Sequence, residues 1–140
     1  MLAHSMGSRV LANAVKSIEI GEVKLNQVVL AAPDINSKIF VDHIAPFFKN
    51  KAERYSIYSS SKDRALEIAN EVQKSHRLGQ SGKNMVVLQG FDTIDASAID
   101  TSVLGHSYYG DERELLFDLY HLLRNNLPPD GLDHALVHCC

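Results

Sequence analysis

Tryptophan is absent from these 140 residues, and cysteine occurs only at the adjacent positions Cys139 and Cys140. Neighbouring thiols at one end of a chain cannot staple distant segments together, so a hydrophobic core has to hold the fold. No run approaches the roughly 18 apolar residues of a spanning helix, and Met1 is not followed by a basic segment with an apolar core. A soluble protein with no membrane span is expected, cytoplasmic by default. Neither sign of charge dominates, with Lys+Arg 14 against Asp+Glu 17 and a net charge of −3. That balance gives no reason to expect nucleic acid or an anionic membrane as partner. Glycine-rich phosphate loops, zinc-ligand spacings and dinucleotide fingerprints are also missing, so no cofactor and no metal is expected.

What is present is a chain with 45% hydrophobic and 22% charged residues, ordinary for a globular domain and long enough for one real core. Its most informative stretch comes first. Leu2-Ala3-His4-Ser5-Met6-Gly7 is an apolar stub with a serine among small residues. It runs into Met6, Val10, Leu11, Ala14, Val15 and Ile18, a helical spacing that leaves Arg9, Asn13 and Lys16 on the other side. A serine on a tight strand-to-helix turn is lifted clear of its sheet, and the G-x-S-x-G pattern describes that turn. Here Ala3 replaces the first glycine and Gly7 is the second. The spacing predicts a close approach of strand and helix at both positions.

Strands and helices then alternate. Val28-Val29-Leu30-Ala31-Ala32 suits a strand buried on both faces. Residues 36–50 are amphipathic around Ile39, Phe40, His43, Ile44, Phe47 and Phe48, and Pro46 argues for a kink or a break into two short helices. Arg54 to Ser59 is the next strand, followed by a helix marked by Ala65, Leu66, Ile68, Ala69 and Val72. Residues 76–84 read as loop. Met85–Leu88 and Phe91–Ala96 are one interrupted strand or two short ones. A last helix opens at Asp111-Glu112 and carries Leu115, Leu116, Leu119, Leu122 and Leu123. Alternation of this kind predicts an α/β architecture with a mostly parallel sheet and flanking helices. Residues 1–127 make one domain, and 128–140, opening with Pro128-Pro129-Asp130-Gly131, are expected as a flexible tail. Within that tail His134, His138 and Cys139 have some metal-ligand character, and Cys139-Cys140 has the composition of a lipid-attachment site. Nothing around them supports either role.

Nucleophilic catalysis by serine requires a base to take the hydroxyl proton and an acid to orient that base. Ser5, Asp63 and His106 occur in the order nucleophile, acid, base. Each follows a predicted strand, where open α/β sheets place their sites. Asp34, after the preceding strand, is the alternative acid. His4 is a poor base, because neighbouring residues at such a turn point in different directions. His43, His76 and His121 lie in helical or polar stretches and look incidental. Ser60 and Asp63 also have the spacing of a helix-capping box, a role a catalytic acid can share.

Taken together, six segments resemble the C-terminal half of bacterial α/β-hydrolases of the uncharacterised, esterase- or lipase-like type. They are Ala3-His4-Ser5-Met6-Gly7, Leu30 to Ile35, Tyr58 to Leu66, Arg77-Leu78-Gly79, Thr93-Ile94-Asp95 and Gly105-His106-Ser107-Tyr108. The resemblance implies a partial α/β-hydrolase fold beginning at the nucleophile elbow. By it Ser5 would be the nucleophile, Asp63 the acid and His106 the base of a hydrolase, and a small-molecule ester or acyl substrate is the accompanying expectation. The backbone amide of Met6 would be one oxyanion donor. The second such donor normally comes from a loop preceding the elbow, and no counterpart of that loop is present. The expectation is therefore a fragment or truncated product, weakly active or inactive alone, with an exposed sheet edge open to self-association. A degenerate hydrolase half serving as a binding or oligomerisation module is the alternative, and an acyltransferase would use the same three residues.

Overall fold

In the computed structural model, residues 1–19, 24–61, 75–97, 112–125 and 137–139 are described. They form one sheet of five strands in the order β1-β2-β3-β4-β5: β1 (Leu2–His4), β2 (Leu25–Ala31), β3 (Ala52–Ser59), β4 (Asp92–Asp95) and β5 (Val137–Cys139). The helices are α1 (Gly7–Ser17), α2 (Ser37–His43) and α3 (Glu112–Asn125), with short 3-10 turns at Ala45–Phe48 and Gly82–Asn84. Strands β1 to β4 run parallel and β5 antiparallel to β4. The mostly parallel α/β sheet expected from the alternation is present.

Both faces of the sheet are covered, which is why the middle of β2 is an unbroken apolar run rather than an alternating one. Val28 and Leu30 join Leu11, Val15, Phe40, Phe48, Tyr55 and Ile57 on one side. Val29 joins Tyr58, Ile94 and Leu122 on the other. Aromatic packing fills the first cluster: the Phe48 ring lies 5.8 Å from Phe40, 5.6 Å from Tyr55 and 5.7 Å from Phe91. The Tyr55 hydroxyl donates to the Phe48 carbonyl and accepts from the Lys51 and Ala52 amides, so its polar end is satisfied inside the core. Phe40 and Phe48 are therefore core residues, while Phe47 stands outside them, half exposed beneath the Lys16 ammonium.

Of the kink or break expected at Pro46, the chain takes the break. Asn36 starts α2 by accepting the Ile39 amide at 3.0 Å. Helix α2 ends at His43, and a 3-10 turn with proline in its first turn follows.

Several expectations are corrected. The buried stripe of α1 is Ser8, Leu11, Ala12 and Val15. Met6 and Val10, read as part of the apolar face, are 67% and 72% exposed. The close approach expected at Gly7 does not occur: a Cβ there would meet no heavy atom within 4 Å. Met85–Leu88 is not a strand. Gly90 turns the chain at a φ of 86° before β4 begins, and both edges of β4 are occupied by β3 and β5. Finally, residues 137–139 lie within the expected tail yet form β5, pairing Ile94 with His138. The open edge of β4 supplies the unpaired backbone groups that a short extended segment can complete. The helix read over Ala65–Val72 and the rest of 128–140 lie outside the described residues.

Candidate active site

Parallel register brings the strand ends to one level. His4 aligns with Ala31, Ala31 with Tyr58, and Tyr58 with Ile94. The row beyond it contains Ser5, Ala32, Ser59 and Asp95 along the C-terminal edge of the sheet. That edge is where open parallel sheets bind ligands.

Ser5 occupies the turn between β1 and α1 with φ 47°. For a residue with a Cβ this left-handed geometry costs roughly 1–2 kcal/mol, so the surroundings must hold it. Three backbone bonds do so. The Ser5 amide donates to the Ala31 carbonyl at 2.9 Å, extending the ladder one step past β1. The Ser5 carbonyl accepts from the Ser8 amide at 3.1 Å and the Asp34 amide at 3.3 Å. Beneath the turn, the fully buried Ser8 donates its hydroxyl to the Ala3 carbonyl at 3.3 Å. The Ser5, Ser8 and Arg9 amides are thus engaged, whereas the Met6 amide has no backbone acceptor among the described residues.

Asp34, the alternative acid, is occupied. Its carboxylate contacts Arg9 Nη2 at 2.8 Å and Arg77 Nε at 3.3 Å, and Arg9 Nε also donates to the Asp34 carbonyl at 2.5 Å. The Arg77 side chain is only 3% exposed. This bridge ties α1, the loop after β2 and residues 75–80 together beside the serine. Asp63 and His106 fall outside the described residues. Asp63 follows β3 in the chain, and His106 follows β4. His4, the rejected base, lies within β1, His43 ends α2 and His121 lies on α3.

Sequence reasoning missed three features here. One is the Arg9–Asp34–Arg77 bridge, for which no local spacing exists. A second is Ala32, which has φ 43° and donates its amide to the Tyr58 carbonyl at 2.9 Å. The third is a hydroxyl cluster at the ends of β3 and β4. Asp95 Oδ1 accepts from the Ser97 amide at 2.9 Å and from the Ser97 hydroxyl. Ser97 Oγ in turn accepts from the Ser61 amide at 2.7 Å and lies 2.7 Å from Ser81 Oγ. The cluster ties the residues leading toward Asp63 to the end of β4.

Two cavities, of about 560 and 630 Å³, border Tyr55, Leu88 and Phe91 at the opposite end of β3 from this edge. No described group of three His, Cys, Asp or Glu residues is arranged to hold a metal ion. No described helix is long and apolar enough to cross a membrane.

Four parallel strands with flanking helices, the first leading through Ser5 into α1, define a partial α/β fold. The chain belongs to the alpha/beta hydrolase family of unknown function (DUF900), whose family model matches residues 1–125. No curated protein and no solved structure gives a match.

Proposed function

We propose that the chain carries the catalytic machinery of a serine hydrolase acting on carboxylic esters, with Ser5 as nucleophile, His106 as base and Asp63 as orienting acid. The observation that carries this reading is the φ of 47° at Ser5 on the β1–α1 turn. Strain at a non-glycine residue persists only where the surroundings over-determine it, and such sites concentrate at active centres. The order of Asp63 after β3 and His106 after β4 supports the other two assignments, and the engagement of Asp34 with two arginines favours Asp63 over it.

In this reaction Ser5 Oγ attacks the ester carbonyl carbon while His106 takes its proton. The carbonyl oxygen becomes an oxyanion facing the Met6 amide. Collapse breaks the carbon–oxygen bond to the alcohol, which leaves with the proton from His106. Water, deprotonated by His106, then releases the acid and restores Ser5. An acyltransferase differs only in replacing that water by another nucleophile.

A fluorophosphonate probe tests the assignment directly. The expected result is one adduct, mapped to Ser5 by mass spectrometry and lost in Ser5→Ala and His106→Ala. Undiminished labelling of Ser5→Ala overturns it.

A second reading, association through the sheet edge, is favoured by β1. It pairs with β2 alone among the described residues, and Met1 and Leu2 beside it are each 49% exposed. Light scattering across a concentration series tests it. A monomer throughout removes it.

A further inference from the structure

We propose that a groove between α1 and α2, separate from the serine turn, binds a small organic anion with an apolar body. Arg9, Asn13 and Lys16 recur at helical spacing along one face of α1 and form one wall, and Arg77 closes an end. Ile35, Ile39 and Ile44 form the facing wall. The groove is open to solvent and has a volume of about 440 Å³, within the range that small-molecule sites occupy.

Three features make this a site rather than a solvated charged face. The described residues lining the groove include three cations and no acid, and the Asp34 carboxylate behind Arg9 and Arg77 offsets only one of the three charges. Two of those cations are fixed in place, since Asp34 holds Arg9 and Arg77 through one carboxylate. Guanidiniums already ordered lose little further freedom when they bind. Beside Asn36 and Ser75, the lining offers one accessible apolar surface: Ile39 is 50% exposed, with Ile35 and Ile44 buried. A bare inorganic anion would use the cations and leave Ile39 in water. An anion with an alkyl or acyl body satisfies both walls, because burying that body against Ile39 adds apolar contact to the charge-assisted hydrogen bonds. Lys16, whose ammonium rests 5.8 Å from the centre of the Phe47 ring, is the head-group cation free of the Asp34 bridge.

The proposal is independent of catalysis at Ser5. It is tested on the whole chain by titrating octanoate, octyl phosphate, inorganic phosphate and octanol while following backbone amide signals by NMR. Octanoate or octyl phosphate should shift the amides of residues 9–17 and 36–44 saturably, and comparing the two identifies carboxylate or phosphate as the preferred head group. Lys16→Glu should weaken binding on the order of tenfold by removing one charged contact. Ile39→Asp, at an exposed position, should weaken it similarly. Both variants should keep the parent's dispersed spectrum. No saturable shift with either amphiphile overturns the proposal. So does equal binding of inorganic phosphate or octanol, or unaltered affinity in both variants.

Discussion

The Asp34 amide donates to the Ser5 carbonyl across 3.3 Å while the Asp34 carboxylate is gripped by Arg9 and Arg77. The residue that competes with Asp63 as catalytic acid is thus a brace for the serine turn. Asp34→Ala should destabilise the fold by about 2 kcal/mol, since it leaves two guanidiniums, one of them buried, without this counter-charge. Urea unfolding measures it. A neutral effect would mean that the bridge contributes nothing to the turn.

Ser5→Gly and Ser5→Ala should both abolish probe labelling yet differ in stability. Glycine relieves the left-handed strain that alanine retains, at some cost in unfolded-chain entropy. Ser5→Gly should therefore be the more stable of the two by about 0.5–1 kcal/mol. Equal midpoints and slopes in urea would show that the φ of 47° carries no strain.

Gly7→Ala should fold at least as well as the parent, gaining up to about 1 kcal/mol from helix propensity. Space around a Cβ at this position is open, so the small residue expected from the motif is not required by packing. A loss of 1 kcal/mol or more would contradict that geometry.

Phe48→Ala should cost about 3–5 kcal/mol, because it opens a cavity among Phe40, Tyr55 and Phe91. Phe47→Ala, one residue away and half exposed, should cost under about 1 kcal/mol. Thermal melts of the pair separate the core residue from its neighbour.

The hydrogen bond from Lys38 holds the Asp42 carboxyl below its ordinary 3.8. The stabilisation from this exposed pair is present above the unfolded value and is lost as pH falls through the lower, folded one. An NMR titration should give an Asp42 midpoint below the ordinary aspartate value, and Lys38→Gln should move it upward.

Local patterns made much of this fold legible. The β-branched apolar run at Val28 suited a doubly buried strand, Pro46 argued for a kink or a break in its helix, and Ala3 to Gly7 had the form of a serine turn. What escaped were properties shared between distant segments. Val10 carries the right residue type for a buried face but is exposed, because α1 packs the stripe Ser8, Leu11, Ala12 and Val15 inward instead. Residues 137–139 sit in a stretch that reads as tail, and β5 exists because β4 offers an open edge.

The sequence by itself determined the element types and the serine between strand and helix, since helix period, β-branched runs and turn residues act over a few neighbours. Tertiary structure alone decided that Ser5 is strained, that Asp34 is bound to Arg9 and Arg77, and that cations line a groove facing Ile39. Each depends on side chains and backbone groups tens of residues apart meeting at a few ångströms, and ion pairing and packing are forces of proximity in space.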